Sequence, residues 1–356
     1  MAQPEPNQKR VSRFRWVWRG GGLTVVLWLV VYSTLVFMND RALQKLEAID
    51  ESIQYRTSPG MLLKLLPLRW RYHLSETVGY QRLRPFEIVT EINANSSRIT
   101  DNNLDLLSAF KDLEVLDLAE TRISDAGLVH LQGLANLEEI NLSETATTDA
   151  GLIYLQKLKQ LERLYLVGTG ISDKGLAQLK QVDSLEFLGL ANTQVSDAGL
   201  VHLQELTKLG YLDLTDTKIT DTGLFHLRGL TNIITLFLEK TPISNNGLIH
   251  LKEMKNLFWL NLDDTQVGDA GLVHLPGLKG LGQLYLDNTQ ITDAGLVHLQ
   301  GLSQLEWLNI ENTQVTDAGL KHLKGLSKLQ YLQYDGTQIT EAGIDQLRES
   351  LPGLSE

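Results

Sequence analysis

From Leu113 onward the apolar positions of the chain recur with a period of twenty-four residues. Units beginning at Leu113, Leu137, Leu161, Leu185, Leu209, Ile233, Leu257, Leu281, Leu305 and Leu329 follow one another without insertion or deletion, and a degenerate eleventh begins at Val89. The shared pattern is LxxLxLxxTxI[ST]DAGLxHLxGLxx, almost undamaged at 281–304 (LGQLYLDNTQITDAGLVHLQGLSQ). In LxxLxL the second and third leucines, Leu116 and Leu118 in the first full unit, lie two apart and so point to one side of a short strand, while the intervening residues point away. Ser or Thr followed by Asp, Ala and Gly, as in Thr292 to Gly295, supplies a helix N-cap and a first-turn acid, after which Leu296 and Leu299 bury one face of a short helix. Each unit is thus a strand plus a helix with an apolar edge that it cannot bury alone, and stacking buries those edges in one continuous core. Helices are wider than strands, so the stack must curve. The pattern predicts an α/β fold: a right-handed solenoid shaped as a horseshoe, with a parallel sheet on the concave side and helices on the convex side. Eleven strands at a spacing of about 4.8 Å give an inner arc on the order of 50 Å.

These units resemble the leucine-rich-repeat family over residues 89–356, and their ITDxGLxxL half is similar to the subclass found in ribonuclease-inhibitor-like and F-box substrate-receptor repeats. Many bacterial surface proteins look similar. The usual family pattern has Asn at position nine, where this chain has Thr in all ten full units, from Thr121 through Thr337. The resemblance implies a structural role for that position. From the residues themselves, the hydroxyl is expected to pair with loop backbone groups of the adjacent unit, because stacked loops leave N–H and C=O groups that need partners. Gly at position fifteen, invariant from Gly127 to Gly343, is expected to let neighbouring turns approach closely. Residues 89–112 keep the spacing but carry Ile92, Ala94 and Phe110 in place of leucines, as expected of a capping unit.

Ahead of the repeats, residues 20–39 contain no charge and the run from Leu23 to Met38 is almost continuously apolar. Twenty helical residues rise about 30 Å, the thickness of a bilayer's hydrocarbon core. Lys9, Arg10, Arg13, Arg15 and Arg19 precede the run and residues of mixed sign follow it, so the positive-inside rule places the N-terminus in the cytoplasm. A cleaved signal peptide shares the basic start and apolar centre, but no A-x-A-like site follows Val36 to Asp40. The expected organisation is a basic cytoplasmic tail at 1–19, a transmembrane helix at 20–39, a stalk and N-terminal cap segment at 40–88, and the solenoid at 89–356. Leu43, Leu46, Ile49 and Ile53 share one helical stripe, suited to a stalk helix or a weak self-association seam. Residues 61–74 (MLLKLLPLRWRYHL) fit either a membrane-surface segment or an apolar lid on the first repeat.

Charge divides the chain along the same line. Residues 1–88 hold 13 Lys and Arg against 7 Asp and Glu, whereas the whole protein holds 32 against 43, for a net charge of −11. An acidic repeat array is a poor partner for nucleic acid. Cysteine is absent, which removes disulfides, thiolate nucleophiles and Cys-ligated metal sites. No HExxH, P-loop, GxGxxG or GxSxG motif occurs, and residues in uniform register make poor catalytic constellations, so neither an enzyme nor a cofactor is expected.

Function is then expected on the strand positions that the repeat does not dictate. Positions three and five should face the concave surface, and eight of those twenty positions are aromatic in a chain with only 7% aromatic residues: Tyr165, Phe187, Tyr211, Phe237, Trp259, Tyr285, Trp307 and Tyr331. Position seven adds the acids Glu239, Asp263, Asp287, Glu311 and Asp335. A contiguous aromatic strip rimmed by acids is the kind of surface that binds a basic or mixed polar-aromatic partner, a protein or peptide first and a glycan second. The opposing reading is that aromatics merely suit exposed parallel strands. Seven histidines at position eighteen, His130, His202, His226, His250, His274, His298 and His322, read as a half-exposed consensus residue copied between units rather than as a metal ladder, and the Asp row at position thirteen as helix-cap chemistry rather than calcium binding. Taken together the sequence predicts a single-pass membrane protein displaying a solenoid binding module outside the cytoplasmic membrane, in a periplasmic or extracellular space. The alternatives are a substrate-receptor subunit of a ubiquitin ligase, which the repeat subclass suggests although no F-box-like segment is present, and a structural envelope protein.

Overall fold

The structure is a computed structural model that describes residues 38–59 and 87–355. Its frame is one sheet of twelve strands in sequence order. Strand β1 (Gln54–Pro59) pairs antiparallel with β2 (Glu87–Asn93), and every later neighbour pair is parallel. The later strands are three residues each: β3 (Val115–Asp117), β4 (Glu139–Asn141), β5 (Arg163–Tyr165), β6 (Phe187–Gly189), β7 (Tyr211–Asp213), β8 (Thr235–Phe237), β9 (Trp259–Asn261), β10 (Gln283–Tyr285), β11 (Trp307–Asn309) and β12 (Tyr331–Gln333). They occupy positions three to five of every full unit, and register is kept so that Leu284 faces Leu260 and Leu308 on its two sides. The predicted parallel-sheet solenoid is what the chain forms.

Seven positions per unit go inward: one, four, six, eleven, sixteen, nineteen and twenty-two, represented by Leu113, Leu116, Leu118, Ile123, Leu128, Leu131 and Leu134, all with no exposed area. The helical side is built from short pieces, typically a four-residue α segment such as Asp293–Leu296 followed by a 3-10 turn. Burial of about 0.8 kcal/mol per CH2 group from one unit's edge into the next, and not helix propensity, holds such short helices in place.

Two polar ladders fix the turns between the layers. The position-nine threonines are buried except Thr337, which is partly so, and each hydroxyl donates to the carbonyl three residues back in its own unit at 2.5–2.7 Å, as Thr121 does to Leu118 and Thr313 to Ile310. This corrects the expectation of a bond to the adjacent unit. The link between units runs through position thirteen instead. The Asp125 carboxylate accepts from the backbone N–H of Thr148 at 2.8 Å and from its hydroxyl at 2.5 Å, one unit on, while Thr148 begins that unit's helical turn. The same clamp joins nine of ten junctions between Asp101 and Thr340. Position fifteen is glycine because that carboxylate lies against it: a Cβ on Gly151 would sit 2.5 Å from Asp125 Oδ1. A third constraint is at position eight, where φ is between 51° and 72° in ten of the ten full units, including Glu120, Glu144 and Lys240. That left-handed turn ends each strand at the cost of some strain for residues other than Gly, Asn and Asp.

The N-terminal end is closed by the chain itself. Residues 38–49 are helical and bury Ala42, Leu43 and Leu46 against the first unit, Ile53 is buried and Ile49 packs beside them. The stripe read as a stalk or self-association seam is therefore core of the cap. Of the expected transmembrane helix, residues 20–37 lie outside the described residues, as do residues 1–19 and the segment 61–74. Among the described residues no helix is long and apolar enough to cross a membrane.

Candidate functional site

Because positions four and six are committed to the core, positions three and five of each strand are left on the open face of the sheet, and the burial pattern of β3 alternates accordingly. Here the eight aromatic residues form one unbroken ladder with one ring from each of eight consecutive strands. Tyr165 and Phe187 have ring centroids 4.4 Å apart, Phe187 and Tyr211 stack at 3.8 Å, Tyr211 meets Phe237 edge-on at 5.4 Å, and Phe237 meets Trp259 edge-on at 5.1 Å. Trp259, Tyr285 and Trp307 continue with near-parallel planes at 5.9 and 6.2 Å, and Trp307 meets Tyr331 at 4.7 Å. A strand that contributes its ring from position three carries Gly or a polar residue at position five, and the reverse holds, so the ladder zigzags across the strands.

The sequence predicts these side chains to be solvent-facing, and the structure qualifies that. Seven of the rings are half-buried because they cover one another, and only Tyr331, on the last strand, reaches 40% exposure. Ring packing raises the phenol pKa of Tyr165, Tyr211 and Tyr285, through loss of solvent first and then nearby carboxylates. The indole N–H groups of Trp259 and Trp307 are enclosed and have no acceptor among the described residues.

The carboxylates of position seven line one margin of the ladder from β8 to β12. Glu239 is paired with Lys240 at 2.7 Å, whereas Asp263, Asp287, Glu311 and Asp335 have no ion-pair partner among the described residues. Asp263 is the most perturbed. Burial drives its carboxyl up to about 7, against a hydrogen bond from the Asp287 N–H, with Asp287, Glu239 and Asp264 adding repulsion. That bond, 2.6 Å to Asp263 Oδ1, has a local cause. In several units an Asn or Asp at position five accepts the position-seven N–H, as Asn261 does for Asp263 and Asn309 for Glu311, but β10 has Tyr285 there, so the preceding unit's Asp263 takes over the task. Glu311 is also raised, by burial and then by Asp287 and Asp335. On β4 and β5 the face carries an ion pair between Glu139 and Arg163 at 3.3 Å, and Arg163 is the only cation at positions three, five and seven of the ten full units.

A leucine-rich-repeat family model matches residues 205–227. An internalin from Listeria monocytogenes, internalin F, superposes with a TM-score of 0.61 at 23% identity, over 83% of this chain and 90% of that one. The fold is a leucine-rich-repeat solenoid. A second internalin from the same organism, internalin C2, gives a TM-score of 0.48 at 29% identity over 58% of this chain and 83% of that chain. A plant peptide hormone receptor solved in complex with its peptide gives 0.41 at 16%, over 69% and 48%. No curated protein matches the sequence.

The helical face of the solenoid holds a feature that the sequence reading passed over. Position seventeen is an exposed apolar residue in seven units, Val129, Ile153, Val201, Phe225, Ile249, Val273 and Val297, each 40–51% exposed. The signal was present in the consensus as the residue after the inward leucine. The position-eighteen histidines beside it are half-exposed, and His226 and His322 each meet a Gln of the preceding unit, Gln204 and Gln300, at 2.8 and 2.9 Å. The described residues contain no group of three or more metal-binding side chains.

Proposed function

We propose that the solenoid is a binding module that captures a protein or peptide ligand on its concave aromatic and acidic face. The observation that carries this reading is the uninterrupted ladder of eight rings beside four unpaired carboxylates, all from positions that the repeat leaves free. Tyr165, Phe187, Tyr211, Phe237, Trp259, Tyr285, Trp307 and Tyr331 supply apolar contact area with few rotamers to freeze, while Asp263, Asp287 and Glu311 select a partner carrying positive charge. The internalin and receptor neighbours share the repeat architecture, and the receptor was solved with a peptide bound. In the same proposal, residues 20–39 anchor the chain once through the cytoplasmic membrane, with residues 1–19 in the cytoplasm and the repeats in the periplasmic or extracellular space. The support for the anchor is the uncharged run and its basic flank.

A second reading, structural assembly through the helical face, is favoured by the exposed apolar row at position seventeen. Capture from native membranes by the full chain separates the two. Replacing Asp263, Asp287 and Glu311 with Lys removes the partner if the aromatic face binds it, and leaves it in place if the helical face does. Recovery of the same partner with both proteins refutes the concave-face assignment. Protease protection of residues 38–356 in sealed inside-out vesicles tests the orientation, and their digestion from the cytoplasmic side overturns it.

A further inference from the structure

The last repeat departs from the other nine in ways that open a cavity at the end of the ladder. Position six, Leu or Ile in every other full unit, is Tyr334, which is only partly buried. The α-helix that follows is ten residues long, Glu341–Ser350, against four to seven for the α segments elsewhere in the full units, and it carries Glu341 and Asp345. On its far side β12 receives residues 351–355, through the Ser355 N–H to the Gln330 carbonyl at 2.6 Å, instead of another three-residue strand, so the Tyr331 ring is left open. Between these parts lies an open cavity of about 680 Å³ lined by the aromatic residues Trp307, Tyr331 and Tyr334, the acids Glu311, Asp335, Glu341 and Asp345, and Arg348.

We propose that this cavity is a subsite for an organic cation, the guanidinium or ammonium group of an Arg or Lys side chain of the ligand polypeptide. The inference rests on the binding-module reading and adds to it a defined position and chemistry. The exposed Tyr331 ring and the carboxylates around the same space are the two attractions that a guanidinium or ammonium group uses together. Arg348 is the one cation lining the cavity and lies 3.7 Å from Asp345, and Glu311, Asp335 and Glu341 have no ion-pair partner among the described residues. Glu311 registers that lack, since burial and the neighbouring Asp287 and Asp335 carboxylates raise its pKa. Unlike the periodic rows of histidine and aspartate, the arrangement occurs once, which is what a discriminating site requires.

The test is titration of the full chain in detergent with Nα-acetyl-arginine amide, Nα-acetyl-lysine amide and the neutral isostere Nα-acetyl-citrulline amide, followed by calorimetry. Saturable binding of the arginine or lysine compound, at least tenfold tighter than that of the citrulline compound, is expected. It should weaken at least tenfold in a Glu311→Gln, Asp335→Asn variant and stay unchanged in Glu253→Gln, which removes an exposed carboxylate on the helical side. Should the double variant lose its wild-type thermal transition, Asp335→Asn alone serves, because Asp335 is exposed and makes no side-chain bond. No saturable binding, equal binding of the citrulline compound, or an unaffected variant overturns the subsite. Propylguanidinium, which carries the same single charge without peptide groups, should bind no tighter than the arginine amide, and tighter binding overturns a polypeptide source. Because the probes are small, loss of the subsite and loss of partner capture by the ladder are read separately.

Discussion

Asn245 and Gly268 form the one junction that breaks the ladder of Asp clamps, and they break it together. Elsewhere an Asp accepts from both the N–H and the hydroxyl of a Ser or Thr in the next unit; here Asn245 Oδ1 accepts from the N–H groups of Gly268 at 2.7 Å and Gly271 at 3.0 Å, and no hydroxyl is present. A double-mutant cycle of Asn245→Asp and Gly268→Ser measures what the clamp is worth. Gly268 has φ −135°, an ordinary extended conformation. A Cβ there would meet Gln290 O at 3.3 Å and Gln290 Cβ at 3.4 Å, so a serine fits with a shift of a few tenths of an ångström. Asn245→Asp alone leaves one carboxylate oxygen without its hydroxyl, and Gly268→Ser alone offers the hydroxyl a neutral amide. Only the double variant makes the charge-assisted bond, of order 1.5–3 kcal/mol when well enclosed and nearer 1–2 kcal/mol at this half-exposed site. A Ser cap in place of Gly adds a few tenths of a kcal/mol. Urea unfolding followed by circular dichroism should therefore give a double variant more stable than wild type by about 1–2 kcal/mol, with a coupling energy of about 1 kcal/mol. Additivity of the single changes within about 0.3 kcal/mol refutes the argument that hydroxyl and carboxylate act as one unit.

Three further outcomes follow from the same geometry. Leu236→Ala removes a side chain with no exposed area that faces Leu212 and Leu260, and it should cost about 2–5 kcal/mol in urea unfolding. Gly175→Ala places a Cβ 2.5 Å from Asp149 Oδ1 and 3.0 Å from Ile171 Cγ2, so it should lower the unfolding free energy by about 1–3 kcal/mol, whereas Gly325→Ala, with nothing within 4 Å, should be neutral or stabilising by up to about 1 kcal/mol. Burial holds the Asp263 carboxyl at about 7 in the folded state, against 3.8 for the free side chain, so the folded state binds more protons between those values and stability falls as pH rises through that window. The full shift bounds the penalty above pH 7 at ~4 kcal/mol, and partial solvent access reduces it to the order of 1–2 kcal/mol. Asp263→Asn keeps an acceptor for the Asp287 N–H, and should raise the melting temperature at pH 8 but not at pH 4. An equal effect at both would show that charge is not the cause.

The repeat was legible because each unit repeats the same physical demands. Two-residue spacing in Leu116 and Leu118, a hydroxyl before Asp and Ala, and a Gly after them define strand, cap and close approach without reference to any partner. Contacts made across units were less so. Thr121 was assigned to its neighbour and bonds its own Leu118 carbonyl, while the inter-unit bond belongs to Asp101 and Ser124, because sequence spacing places residues on a turn but not the direction in which a short side chain donates. The helix of Leu43 and Leu46 could have faced solvent or the first repeat on periodicity alone, and burial decided it. The aromatic face was visible as a run of residue types, but its state was not: whether eight rings stand apart in water or close over one another depends on strand spacing and on the single polar or glycine position each strand leaves beside its ring. That closure bears on function. Rings 3.8 to 6.2 Å apart present edges along most of the groove, and among the described residues of the ladder only Tyr331 is exposed, so in the proposed binding mode a ligand lying along the ladder would gain apolar area throughout and find its directional contact at the last repeat.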